Sequence, residues 1–303
     1  MAKKIKTLSI YRKNMVVKSD SDDEPSKNEF LHSHTEYEPR WGKVVREIQY
    51  AADGQVEQVT EFDYDESGFM VKEILKDGDD TVLEHKTFEP DEKQRVLREF
   101  CHYADGSYDV TTYHYDEKDR VIKKETHDDE GDLESTEIKE YQNDLLVKHT
   151  VSGEGEEPVS EVNYEYDENN RLVETRVQDF QAGTEYTRVN SYDEEGRRKA
   201  AATYDSNEEP VERFLFKEDE KGRLVEVTEE NRRKKNTTKM QYDEKDNIIK
   251  QKEYDLKGEL VNEIERDYDE EGRLLESRIH VNRMMPGINQ NYTVRHAYTF
   301  YEE

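Results

Sequence analysis

The sequence predicts an all-β protein, a repetitive antiparallel meander of about ten β-hairpins that forms an elongated or curved sheet, a trough or an open shell. Three observations point there. A Tyr-Asp pair, or a degenerate copy of it, recurs at intervals of roughly 24 to 27 residues, the length of one supersecondary unit in a repeat array. A second mark, Asp-Gly or a relative, falls near the middle of each interval and supplies the positive φ that tight hairpin turns need. Between the marks lie runs of about eight to ten residues rich in Val, Ile, Thr, Tyr and Phe, with no sustained helical period.

Composition alone argues the other way. The chain has 303 residues, 75 acidic and 46 basic, for a net charge of −29, and 59 of its residues are Leu, Ile, Val or Phe. So few strong apolar residues beside so much charge is a signature of disorder. Yet there are 20 Tyr against 14 Gly and 6 Pro, too aromatic and too poor in breakers for an acidic linker. A repeat resolves the conflict, because each unit needs to bury only a few side chains against like neighbours.

Taken in order, the clear marks are Tyr64-Asp65, Tyr115-Asp116, Tyr166-Asp167, Tyr192-Asp193, Tyr242-Asp243 and Tyr268-Asp269. Degenerate copies fall at Tyr37-Glu38, Pro90-Asp91, Tyr141-Gln142 and Glu218-Asp219. The midpoint turns include Asp53-Gly54, Asp77-Gly78, Asp105-Gly106, Glu130-Gly131, Ala182-Gly183 and Lys257-Gly258. Joined through the Tyr-Asp turns, the hairpins make a meander of roughly twenty strands, on the order of 90 Å across if it stays open. The pattern does not decide between an open sheet, a trough and a closed barrel. Helices are expected to be nearly absent.

Side chains two apart on a strand share a face. The pairs Phe62 and Tyr64, Tyr113 and Tyr115, Tyr164 and Tyr166, and Phe214 and Phe216 therefore line one face. The first three pairs are candidate binding residues, since Tyr couples an apolar ring to a polar tip. After most of the Tyr-Asp turns comes an apolar doublet, such as Met70-Val71, Leu172-Val173 or Leu274-Leu275. A charged residue follows, as at Lys72, Arg98, Lys123, Glu174 and Glu276.

The chain divides into a basic tail and acidic linker (1–36), the hairpin array (37–280) and a capping strand (281–303). Residues 1 to 18 carry six positive side chains and no negative one. Ile5, Leu8, Ile10 and Tyr11 are candidate docking side chains there, the alternative being a segment that lies on the sheet or adds an edge strand. Ser19 to Pro25 reads as an acidic linker. After Ile279 the repeat gives way to Met284-Met285-Pro286-Gly287, and a strand-like run from Tyr292 to Tyr301 reads as the cap that protects an array's exposed edge.

At these residues a family resemblance emerges. Tyr268-Asp269-Glu270-Glu271-Gly272-Arg273-Leu274 resembles the YD repeat of the Rhs family, as do the stretches from Tyr166 to Leu172 and from Glu218 to Leu224. The resemblance spans roughly residues 37 to 300 and implies a continuous β-sheet, which in the large members spirals into a hollow shell around a toxin domain. This chain departs from them in its longer period, in having too few units for a complete shell, and in lacking an Asp-Pro-x-Gly-Leu type processing motif.

Chemistry is sparse. Cys101 is the single cysteine, which excludes an intrachain disulfide or a Cys-based metal cluster and fits a reducing, cytoplasmic location. No apolar run reaches membrane-span length. The negative charge repels phosphate backbones, so nucleic acid is not an expected partner, and a protein with a basic surface is. His32-x-His34 is a weak metal pair without a third ligand, and the acidic turns match no calcium loop. With no P-loop, nucleophile elbow or dinucleotide fingerprint, no catalytic residue and no cofactor are expected. The functional expectation is a non-catalytic protein-interaction scaffold with an acidic, Tyr-rich surface. The alternatives are an inhibitor or immunity-type protein masking a basic nuclease or toxin, and glycan binding by the Tyr ladder.

Overall fold

The computed structural model describes residues 3–16, 29–155, 157–282 and 290–302. The linker read at Ser19 to Pro25 and the break at Met284 to Gly287 lie outside them. All 22 elements are strands: β1 (Ile5–Val16), β2 (Glu29–Tyr37), β3 (Val44–Tyr50), β4 (Val56–Tyr64), β5 (Met70–Asp77), β6 (Val82–Pro90), β7 (Val96–His102), β8 (Tyr108–Tyr115), β9 (Val121–His127), β10 (Leu133–Gln142), β11 (Leu145–Ser152), β12 (Pro158–Tyr166), β13 (Leu172–Asp179), β14 (Thr184–Tyr192), β15 (Arg198–Asp205), β16 (Pro210–Glu218), β17 (Leu224–Asn231), β18 (Lys235–Tyr242), β19 (Ile248–Tyr254), β20 (Leu260–Tyr268), β21 (Leu274–Val281) and β22 (Gln290–Phe300). Each pairs antiparallel with its neighbours in the chain.

The sheet closes. β1 pairs with β2 along one edge and with β22 along the other, so the wall is a 22-stranded antiparallel barrel. This overturns the expectation of an open or curved sheet, trough or shell of about ten hairpins. The physical reason is twofold. Twisted strands added one after another curl the sheet until its ends meet. The segment from Ile5 to Val16, which carries no Tyr-Asp mark, then supplies the strand that both ends lack.

Register also decides which face is which. Cross-strand partners share a face, and the row through Phe62, Glu73, Lys86 and Cys101 connects the aromatic pairs. Phe62, Tyr64, Tyr113, Tyr115, Tyr164, Tyr166, Phe214 and Phe216 all lie on it. Followed once round the wall, the pairing returns to β1 about one residue further per strand, a stagger that tilts strands by roughly 35 to 45° and gives a wall on the order of 40 Å across. With the right-handed strand twist, that stagger turns the aromatic face inward. Exposure largely agrees: the exposed mid-strand positions Asp63, His114, Glu165, Arg176, Lys217, Lys239 and Asp267 are all on the other face, with Glu47, Gln49, Tyr186 and Arg188 the inward exceptions.

The apolar doublets have a different meaning from simple alternation. In the register, Tyr64 opposes Met70 while Asp63 opposes Lys72, leaving Val71 as the extra residue of a β-bulge. Val173 and Leu275 are extra in the same way. A bulge beside each Tyr-Asp turn raises the local twist, so the doublet helps to curl the wall. Among the described residues the buried hydrophobic core is thin, comprising Ile48, Val59, Ala201 and Ile279. Gly78 shows how tightly the turns seat: a Cβ there would lie 2.0 Å from the Val56 carbonyl oxygen.

Candidate functional site

The recurring motif is a latch between consecutive hairpins. In the unit at Asp167, one carboxylate oxygen accepts the backbone N–H groups of Asn169 and Arg171, each at 2.9 Å, while Asn170 takes a φ of 61°. The other oxygen accepts the Arg171 Nε at 2.6 Å. So fixed, the Arg171 guanidinium lies 4.8 Å from the centre of the Tyr192 ring, and the Tyr192 hydroxyl donates to the Leu172 carbonyl at 2.8 Å. This turn thus holds its own arginine, and that arginine covers the tyrosine of the next unit, whereas the turns at Asp65 and Asp243 carry Phe69 and Asn247 in its place.

The same geometry repeats with Arg95 over Tyr115, Arg120 over Tyr141 and Arg223 over Tyr242. The side-chain bond from the arginine, reinforced by its backbone N–H, holds the carboxyls of Asp91, Asp116 and Asp219 below the usual range. Where the left-handed turn residue is Asp119, Asp144 or Asp246, it also pairs with the preceding unit's cation, as Asp246 does with Arg223 at 2.6 Å.

The structure spreads the sequence-predicted residues around the wall. Tyr64, Tyr115 and Tyr166 donate their hydroxyls to the carbonyls of Val44, Val96 and Leu146 at 2.7, 2.7 and 2.9 Å. Tyr113 donates to Glu99 at 2.7 Å, and burial followed by that bond pushes its phenol up. Phe62 and Tyr164 sit half-buried on the same inner face. Ile5, Leu8, Ile10 and Tyr11 are half-buried in β1, where the Arg295 guanidinium lies 4.3 Å from the Tyr11 ring centre and pairs with Glu29. No group of three metal-ligating side chains converges among the described residues. His34 instead shares a hydrogen bond with Ser9 at 2.8 Å, and Cys101 is a free thiol on the inner face.

Sequence reasoning missed two outward features. His85 and His102 stack at 4.6 Å, and burial followed by the neighbouring His102 lowers the basicity of His85. Their pairing became visible only with the register of β6 on β7. The second feature is a depression of about 720 Å³ over β14 to β17, lined by Val189, Ala200, Ala202, Tyr204 and Arg213. Its signal was present in the sequence: Ala200 stands where the other units carry Lys72, Arg98, Lys123, Glu174, Glu226, Lys250 and Glu276. A smaller depression of about 590 Å³ lies by Trp41, whose ring packs over Gly68.

No family model matches the chain, and no curated protein does. Among solved structures, the chain is similar to TcdB2-TccC3-TEV at 14% identity and a TM-score of 0.37, covering 82% of this chain and 15% of that one. It is also similar to TcdB2-TccC3 without its hypervariable C-terminal region, at 12% identity and a TM-score of 0.43, covering 97% and 18%. A third similarity is to a porin-like protein from Bacteroides uniformis ATCC 8492, at 8% identity and a TM-score of 0.34, covering 97% and 98%. The chain thus spans less than a fifth of the two TcdB2-TccC3 chains. Those two are distant Rhs/YD-repeat neighbours of a β-rich, repeat-like fold, and at these scores none of the three carries an argument about what this chain does.

Proposed function

We propose that the chain is a non-catalytic scaffold that binds a protein partner with a basic surface at the rim of the barrel. The observation that carries this reading is a ring of glutamates. The residue after the turn aspartate is exposed at Glu66, Glu92, Glu117, Glu168, Glu194, Glu220, Glu244 and Glu270, all at one rim, and their side chains take no part in the turn bonds. The repeat's Tyr, Asp and Arg side chains, by contrast, are committed to the wall. The outward face is laced with ion pairs, such as Lys250 with Glu263 and Glu265 and Lys148 with Glu161, where a membrane barrel would present an apolar band. A ring of like charge steers and holds a basic surface and is screened by salt.

The test is capture from a cell lysate at about 0.15 M and about 0.5 M salt, with the intact chain and with a variant carrying E92Q, E117Q, E168Q and E220Q. The expected result is a basic protein retained at the lower salt and lost both at the higher salt and with the variant. Undiminished capture by the variant would contradict the rim reading. The same ring also suits an inhibitor, which is distinguished by whether a captured enzyme loses its activity.

A further inference from the structure

The geometry points to the outer depression over β14 to β17 as a binding site for a small amphipathic carboxylate, an aromatic or medium-chain aliphatic acid. The array creates this site by breaking its own rule. In the strands that follow the other Tyr-Asp turns, the first outward position always carries a long charged side chain and the second ranges from Thr150 and Thr228 to longer residues: Lys72 and Ile74 in β5, Arg98 and Phe100 in β7, Glu174 and Arg176 in β13, Lys250 and Lys252 in β19. In β15 both are alanine, Ala200 and Ala202, and the missing side chains leave an open volume of about 720 Å³. That is the size of a small-molecule pocket.

The walls supply the apolar contact. Val189 opposes Ala202 across the ladder, and its side chain is exposed, as is that of Val211 at the far edge. Tyr204 lies on the same face two residues beyond Ala202.

Arg213 supplies the charge. Its cross-strand partners are Ala202 on one side and Glu230 on the other. Glu230 is engaged by Lys235 at 3.3 Å, and Glu212, on the opposite face, is turned to Arg188 at 4.0 Å. The remaining cation of the depression, Arg232, is held by Glu209 at 2.6 Å. Among the described residues Arg213 therefore has no ion pair, and it borders an apolar floor. With the neighbouring Glu230 carboxylate engaged by Lys235, a guanidinium beside poorly hydrated surface takes a planar carboxylate in bidentate fashion. The apolar body of the acid then covers Ala200, Ala202 and Val189. This site is independent of the glutamate rim.

Isothermal titration with 3-phenylpropionate and with decanoate tests the proposal, with 3-phenylpropylamine as the charge-reversed control. The intact protein should bind the acids saturably and the amine not at all. Arg213→Gln should weaken the acids by about tenfold or more. Ala200→Glu should abolish binding, because it fills the floor and gives Arg213 a carboxylate of its own. It is also a residue the array already accommodates at Glu174, Glu226 and Glu276, so the variant is expected to fold, which its melting curve checks. No saturable binding of either acid, equal binding of the amine, or unchanged affinity in Ala200→Glu would each overturn the assignment.

Discussion

Deleting residues 1–16 is expected to destroy the cooperative melting of the barrel and to turn a closed wall into a self-associating sheet. β1 is the one strand that touches both ends of the array, lying against β2 and β22 at once. Its loss leaves two long strands with unpaired N–H and C=O groups, the arrangement that pairs edge to edge with other chains. Cross-strand rows contribute roughly 0.2 to 1 kcal/mol each, so removing both seams costs on the order of 5 kcal/mol, comparable with the whole stability of a typical domain. Further losses follow at Arg295, which lies over Tyr11, and at the Thr7–Thr299 hydroxyl pair. Adding back a synthetic peptide of residues 3–16 should restore the sharp transition and the elution volume of the intact chain. A truncated chain that melts as the intact one does would show that β1 is an accessory strand.

Raising the pH should unfold the barrel together with ionisation of its tyrosines. Burial pushes up the phenols of Tyr37, Tyr64, Tyr113, Tyr115, Tyr164, Tyr166 and Tyr298. In the unfolded chain the same phenols titrate near the ordinary value of about 10. The folded state therefore holds protons that the unfolded state has already released. The resulting stability is fully present below that value and is lost as pH rises through the elevated range. Each ring is partly solvated, which reduces its individual effect, but many rings act together. Between about pH 9 and pH 11 the melting temperature should fall by roughly 10 °C or more. Phenolate absorbance should rise as one step coincident with loss of the β-sheet signal. A gradual phenolate titration near the ordinary value, with melting unchanged, would show that the inner tyrosines are freely solvated.

Much of the wall was legible in the sequence because its turns are chemically explicit. Tyr-Asp-x-x-Gly-Arg names the carboxylate that collects the turn's N–H groups, the residue that adopts positive φ and the arginine that closes the latch, as Asp269, Gly272 and Arg273 do. The shared face of the aromatic pairs followed from alternation alone. Closure did not, because it depends on β1, a strand with no repeat mark that pairs with a segment almost the whole chain away. Strand twist and the bulges at Val71, Val173 and Leu275 curl the sheet, and these read in sequence only as apolar doublets. Inside and outside were equally hidden, since alternation separates two faces without saying which is concave. The outer depression was in principle visible as an Ala-Ala-Ala run at Ala200 to Ala202, but its neighbour Arg213 is brought there only by the pairing of β15 with β16.

Amide hydrogen exchange at the seam tests closure most directly, because it needs no substitution. In a closed barrel, β1 is hydrogen-bonded on both sides, and so are β2 and β22. The amides of β1 and β22 should then exchange as slowly as those of β11 and β12 in the middle of the array. Alternating fast exchange along β22 or β2, the pattern of an edge strand with every second N–H facing water, would contradict the closed barrel and return the chain to an open sheet.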